Sequence, residues 1–153
     1  MDEIEELIQS AEQGDSAAQN YLAIKLAHSG KEKSLEGALY WYLEAVRKGY
    51  VDAMWNAGSM LMDGEGGIQD RQLGLRLIEI AAKSGKTSAR RYLAYCYEKG
   101  LEGFEKNPSL ASQWNQRVGH PEDVPDFAEP VDVDAYLADQ PTKPNSYELL
   151  RQQ

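Results

Sequence analysis

The sequence predicts an all-α protein, a short right-handed α-α solenoid of about three helical hairpins with an N-terminal capping helix and a proline-rich C-terminal tail. A pattern of alanine, a second small residue and a closing glycine returns three times along the chain. Its most complete copy consists of Ala89, Leu93, Ala94, Tyr97 and Gly100. The landmarks of a second kind of helix recur after 36 residues: Ala38, Trp41, Ala45 and Gly49, then Gly74, Leu77, Ala81 and Gly85. A period of this length made of two helices is typical of stacked helical hairpins.

The first element is a predicted helix from about residue 2 to residue 13. Its apolar residues fall on one helical face and are Ile4, Leu7, Ile8 and Ala11. The helix closes at Gly14, as the later second helices close at Gly49 and Gly85. Residues 1–14 therefore resemble the second half of a hairpin that lacks its first half, and we interpret them as a cap.

Three hairpin repeats follow, each with a first and a second helix. The predicted repeats are residues 15–49, 50–85 and 86–118, which complete a repeat domain over residues 1–118. The predicted helix pairs are Ser16–His28 with Ser34–Lys48, Val51–Asp63 with Asp70–Ser84, and Thr87–Lys99 with Asn107–Val118. The glycine-rich stretch 64–67 suits the tight reversal inside the second pair. Asn107 and Pro108 form a favourable helix start.

After residue 118 the repeat pattern stops, and residues 119–153 form an acidic tail with five prolines. Prolines exclude a long helix here. We expect two short helices, at about 132–138 and 146–153. The tail is expected to lie along the last helical pair and to cover its open apolar end, with disorder as the alternative.

Charge limits the range of partners. The net charge is −9, and the tail alone carries eight acidic and two basic residues. Such a field repels nucleic acid and anionic membranes and favours a basic protein partner; alternatively, the acidic tail only keeps the protein in solution.

No apolar run approaches the ~20 residues of a membrane span, and the acidic first residues differ from a secretory leader. A single cysteine, Cys96, allows no internal disulfide, so we expect a cytoplasmic protein and interpret Cys96 as an apolar filler.

The repeat pattern resembles the Sel-like (Sel-one-like) repeat, a relative of the tetratricopeptide repeat. The third unit matches at Ala89, Leu93, Ala94, Tyr97, Gly100 and Gly103. The second unit carries the glycine-rich turn and the following Asp70, whereas the first unit lacks that turn. The resemblance implies an adaptor or partner-binding role, and bacterial members of such families include secretion-associated factors and immunity proteins that neutralise toxins.

Partner-binding residues are expected at positions that the pattern of core residues does not use. On the first helices these are Tyr21, Lys25, Trp55, Ser59, Arg91, Tyr92 and Tyr95. In the tail they are Asp126, Glu129, Asp132 and Asp134. Aromatic and arginine side chains are enriched at the centres of interfaces. Packing between repeats is the alternative use of Trp55 and Tyr95, and we assign Trp41 and Trp114 to the core.

For catalysis the sequence offers little. The two histidines, His28 and His120, lie in no metal-binding or acid/base spacing, and no known catalytic motif is present. We therefore expect no enzyme, no metal and no cofactor. Three hypotheses follow: an immunity-type protein that neutralises a partner, such as a basic toxin or effector; a scaffold or secretion chaperone; and a small hydrolase that uses carboxylates of a groove.

Overall fold

The structure, a computed structural model, describes residues 1–117, 124–139 and 143–153. Within these residues the chain forms nine helices, and the predicted all-α solenoid of helical hairpins is confirmed. The helices are α1 (Glu3–Glu12), α2 (Ser16–Ala27), α3 (Glu32–Arg47), α4 (Val51–Asp63), α5 (Arg71–Ser84), α6 (Thr87–Lys99), α7 (Pro108–Gln116), α8 (Asp134–Asp139) and α9 (Ser146–Arg151). The expected end of the last repeat helix at Val118 and the start of the tail lie outside the described residues.

Short polar side chains begin four of the seven helices α1–α7. The side chains that accept a hydrogen bond from an N–H of the first turn belong to Asp2, Asp15, Asp70 and Asn107. Each satisfies one of the donors that a helix start leaves without a partner. At the other end, Gly85 closes α5 in the left-handed region at φ 111°, a conformation that costs a residue with a Cβ atom strain.

Small residues bring the two helices of a hairpin close together. A Cβ atom added to Gly58 would lie 2.8 Å from Ile78 Cγ1 and 3.0 Å from the carbonyl oxygen of Gly74. Helices α4 and α5 therefore approach so closely at this point that a methyl group does not fit. Trp41 is buried, as its assignment to the core requires, and Leu77 at the equivalent position of the next hairpin is also buried, whereas Trp114 is only partly buried.

The C-terminal strap, residues 124–139 and 143–153, runs back toward the first repeat. The N–H of Val51 donates to Asp126 O at 2.9 Å, and the N–H of Ala128 donates to Gly49 O at 2.8 Å. These bonds attach the strap to the turn between α3 and α4. Beyond that turn the side chain of Val133 is completely buried, so the strap contributes to the hydrophobic core.

Polar contacts fix the two short helices of the strap. Before α5, the carboxylate of Asp70 accepts the N–H of Leu73 and the hydroxyl of Tyr136, and these bonds, in that order, hold the pKa of Asp70 below its ordinary value. The indole Nε1–H of Trp41 on α3 donates to Ser146 Oγ of α9 at 2.8 Å in a buried position. Helix α9 thereby lies against α1, α2 and α3.

This path differs from the expectation that the tail covers the last helical pair. Helix α7 presents mainly polar side chains to solvent: Ser112, Gln113, Asn115 and Gln116. Its one large ring, Trp114, lies 5.2 Å from the guanidinium carbon of Arg117, which covers part of it. A polar terminal helix leaves little apolar surface to cover, whereas α3 accepts the apolar side chains of the strap.

Candidate protein-binding surface

The first helices of the three hairpins lie side by side. Asn56 Nδ2 of α4 donates to Asn20 Oδ1 of α2 at 3.2 Å. One helix further, the ring of Trp55 on α4 packs edge to face against Tyr92 on α6, with centroids 6.1 Å apart. Helices α2, α4 and α6 therefore form one layer. We call its solvent side the first-helix face, which comprises Tyr21, Ile24, Lys25, Trp55, Ser59, Arg91, Tyr92 and Tyr95.

Large side chains on this face remain open to solvent. Tyr21 is 52% exposed, Ile24 45% and Tyr95 51%. Lys25 lies with its ammonium 5.0 Å from the centre of the Tyr21 ring, and Arg91 is exposed. Rings and aliphatic groups that the core does not use are the type of surface that a partner protein buries.

The repeat geometry explains which rings are open. Tyr92 is half-buried because Trp55 of the preceding first helix covers it. Tyr21 occupies the equivalent position on α2, and within the described residues no first helix precedes α2. Within the described residues, therefore, no ring of a preceding first helix packs against Tyr21, and the ammonium of Lys25 lies over its ring instead. Trp55 has a mixed role, since it packs between repeats and still presents part of its ring to solvent.

Ile24 belongs to the first-helix face but was not among the residues predicted from the sequence. It lies 35 residues before Ser59, which lies 36 residues before Tyr95, so the repeat register places the three at equivalent positions. Its aliphatic side chain was assigned to neither the core nor the surface. A comparison of equivalent positions in the three first helices, which lie 35 or 36 residues apart, would have identified Ile24 from the sequence.

The four acidic residues of the tail lie on the strap and not on the first-helix face. Asp126, Glu129 and Asp132 are exposed. Asp134 forms an ion pair with Arg47 at 3.1 Å, near the end of α3. Asp126 borders a cleft of about 350 Å³ beside the N-terminal ends of α4 and α6.

Cys96 lies below the face and is completely buried. Burial raises the pKa of its thiol, and burial likewise raises the pKa of the neighbouring Tyr92 to about 12. A protonated, inaccessible thiol is a poor nucleophile, which supports the interpretation of Cys96 as an apolar filler.

The layered hairpins and their exposed face define an α-helical repeat scaffold. The Sel1 repeat family matches residues 16–50, 51–86 and 87–117, and the chain belongs to this family. The matched segments coincide with the three hairpins found in the structure. Sel1 repeats generally mediate protein–protein interactions, and their fold is a generally non-enzymatic scaffold.

Solved structures are similar to the chain in fold. A Sel1 repeat protein from Oxalobacter formigenes superposes with a TM-score of 0.65 at 23% identity, over 74% of this chain and 87% of that chain. A second is c5321, a protective antigen present in uropathogenic Escherichia coli strains that displays an SLR fold. It superposes with a TM-score of 0.66 at 25% identity over 97% of this chain, which spans only 31% of that protein. Among curated proteins none matches the chain significantly.

Two kinds of feature are absent from the part of the chain that the structure describes. Within residues 1–117, 124–139 and 143–153, no helix has both the length and the apolar character to cross a membrane. The same part of the chain contains no cluster of three His, Cys, Asp or Glu side chains that could hold a metal ion.

Proposed function

We propose that this chain is a non-catalytic, cytoplasmic binding protein of the immunity type, which neutralises a toxin or effector by holding it against the first-helix face. The observation that supports this proposal most is the set of open side chains on that face, Tyr21, Ile24 and Tyr95. They come from the first and third hairpins, so one partner that contacts all of them must cover the whole layer. Covering a partner's own active surface in this way is sufficient to inhibit it.

The acidic strap is proposed to guide the partner toward this surface. The repeat domain, residues 1–118, would provide the contact layer, and the tail, residues 119–153, would provide most of the negative field and cap the first repeat. Asp126, Glu129 and Asp132 are exposed and make no ion pair within the described residues, so their charge is available to a basic surface. Such steering raises the association rate more than it raises the final affinity.

Affinity capture from the native host, followed by mass spectrometry, tests the proposal. The bait proteins are the wild type, a Tyr21→Ala/Tyr95→Ala double variant and the control Phe127→Ala. Phe127 is as exposed as Tyr21 but belongs to the strap. We expect one stoichiometric partner that the wild type and the control retain and that the double variant loses. Co-expression of the wild type should also relieve growth inhibition by that partner.

Other outcomes separate the remaining hypotheses. Several unrelated partners that compete for the first-helix face would favour a scaffold or a secretion chaperone instead. A partner that the double variant still retains would contradict the proposed location of the binding surface. A partner whose own activity is unaffected by binding would contradict neutralisation.

A further inference from the structure

We infer that the segment of the partner that lies on the first-helix face is acidic and apolar, with carboxylates that meet Lys25 and Arg91. This inference rests on the proposed function and specifies the chemistry of the contact. It separates two properties of the partner: a basic surface, which the strap attracts at long range, and a local acidic segment, which the first-helix face holds.

The central part of the face carries positive charge only. Two rows of equivalent positions cross the three helices. The first row consists of Asn20, Tyr21, Trp55, Asn56, Arg91 and Tyr92. The second row consists of Ile24, Lys25, Ser59, Met60, Tyr95 and Cys96, of which Met60 and Cys96 are buried below the face. No carboxylate occurs in either row, although the chain has 25 acidic and only 16 basic residues.

Within the described residues neither Lys25 nor Arg91 forms an ion pair, although the ammonium of Lys25 lies over the Tyr21 ring. By contrast, Lys86, just before α6, pairs with Asp52 at 2.7 Å at the N-terminal end of α4. An arginine with five free N–H donors binds a carboxylate strongly and in a defined orientation.

The acids on the same helices lie outside the two rows. Asp63 is exposed at the last position of α4, one turn beyond Ser59. Glu98 is exposed near the C-terminal end of α6. Asp52 is held by Lys86. A segment that crosses the layer through its centre therefore meets Lys25 and Arg91 before it meets these carboxylates.

The dimensions fit a short segment. Packed helices lie about 8–10 Å apart, so the distance from α2 to α6 is about 16–20 Å. An extended chain covers this distance with about five or six residues. Apolar side chains near its two ends would cover Ile24 on α2 and Tyr95 on α6, and carboxylates beside them would reach Lys25 and Arg91 on the same two helices. A basic segment of the same length would place like charges against them.

Selection from a phage-displayed library of random peptides tests this inference. The targets are the wild type, a Lys25→Glu/Arg91→Glu variant and the matched control Lys33→Glu/Arg76→Glu, which makes the same charge change at exposed cations of α3 and α5. Thermal melting monitored by circular dichroism establishes that each variant is folded. Peptides selected on the wild type are expected to be enriched in Asp or Glu together with apolar residues. Their affinity should fall with added salt.

The selected peptides are then measured against all three proteins. We expect binding to weaken about tenfold or more on Lys25→Glu/Arg91→Glu and to remain within about twofold on the control, because only the former removes charge-assisted hydrogen bonds. Neutral or basic peptides, the absence of selected peptides, or an equal loss on both variants would overturn the inference. If the captured host partner depends on Tyr21 and Tyr95 but is insensitive to Lys25→Glu/Arg91→Glu, the proposed function stands and this inference fails.

Discussion

Because Val133 of the strap is buried, the free-energy cost of truncating its side chain can be calculated. The Val133→Ala substitution removes two methyl groups from a side chain with no exposed surface. Each buried methyl or methylene group contributes about 0.8 kcal/mol, and the cavity left behind adds to that loss. We therefore expect the free energy of unfolding to decrease by about 1.5–2.5 kcal/mol.

Urea unfolding followed by tryptophan fluorescence measures this loss. The slope of the transition should stay the same, because a single valine hardly changes the surface exposed on unfolding, and the midpoint should decrease. Leu101→Ala is the control, since it removes three carbons from a residue that is 40% exposed, and its effect should stay within about 1 kcal/mol. If Val133→Ala is no more destabilising than the control, the strap does not lie on the core as described.

Three further predictions concern packing, pH and reactivity. Gly58→Ala should destabilise the protein by about 1–3 kcal/mol, because its Cβ would meet the Gly74 carbonyl oxygen at 3.0 Å; unchanged urea unfolding would contradict that close contact. The pKa of Asp70 in the folded protein lies below its ordinary value of 3.8, so ionised Asp70 stabilises the fold above pH 3.8. This stabilisation is lost as the pH falls through the lowered pKa. Tyr136→Phe should reduce this loss of stability at acidic pH, which thermal melting at a series of acidic pH values measures. An unchanged dependence of the melting temperature on pH would show that the hydroxyl makes no such bond. Cys96, buried and with a raised pKa, should react with a thiol reagent only in denaturant, which mass spectrometry detects, and fast labelling of the native protein would contradict its burial.

The hairpins could be predicted from the sequence because each depends on local signals. Asp15 and Asn107 begin their helices as their residue types predict, and Gly64 ends α4. The start of α3 is different. Ser34 was the expected first residue, but the helix begins at Glu32 with no side-chain cap, and Ser34 is buried. Packing against the neighbouring helices here outweighs the local preference of serine for a helix start.

The strap and its partners could not be predicted in the same way. Trp41 was correctly placed in the core, but its indole donates to Ser146, which is 105 residues away along the chain. No periodicity links two such positions, because the tail does not repeat. On the first-helix face the register predicts that Tyr21, Ser59 and Tyr95 belong to one layer. The interpretation of residues 1–14 as half a hairpin also predicts that no first helix precedes α2 within the described residues. The contact between Trp55 and Tyr92, which shows what the Tyr21 ring lacks, is visible only in the assembled structure.

Hydrogen–deuterium exchange of the chain, alone and bound to its captured partner, tests the central claim most directly. If α2, α4 and α6 form the binding layer, binding should slow exchange in these helices and leave the outer parts of α3 and α5 nearly unchanged. Protection confined to α3, α5 or the strap would show that the partner binds elsewhere, and would contradict the assignment of function to the first-helix face.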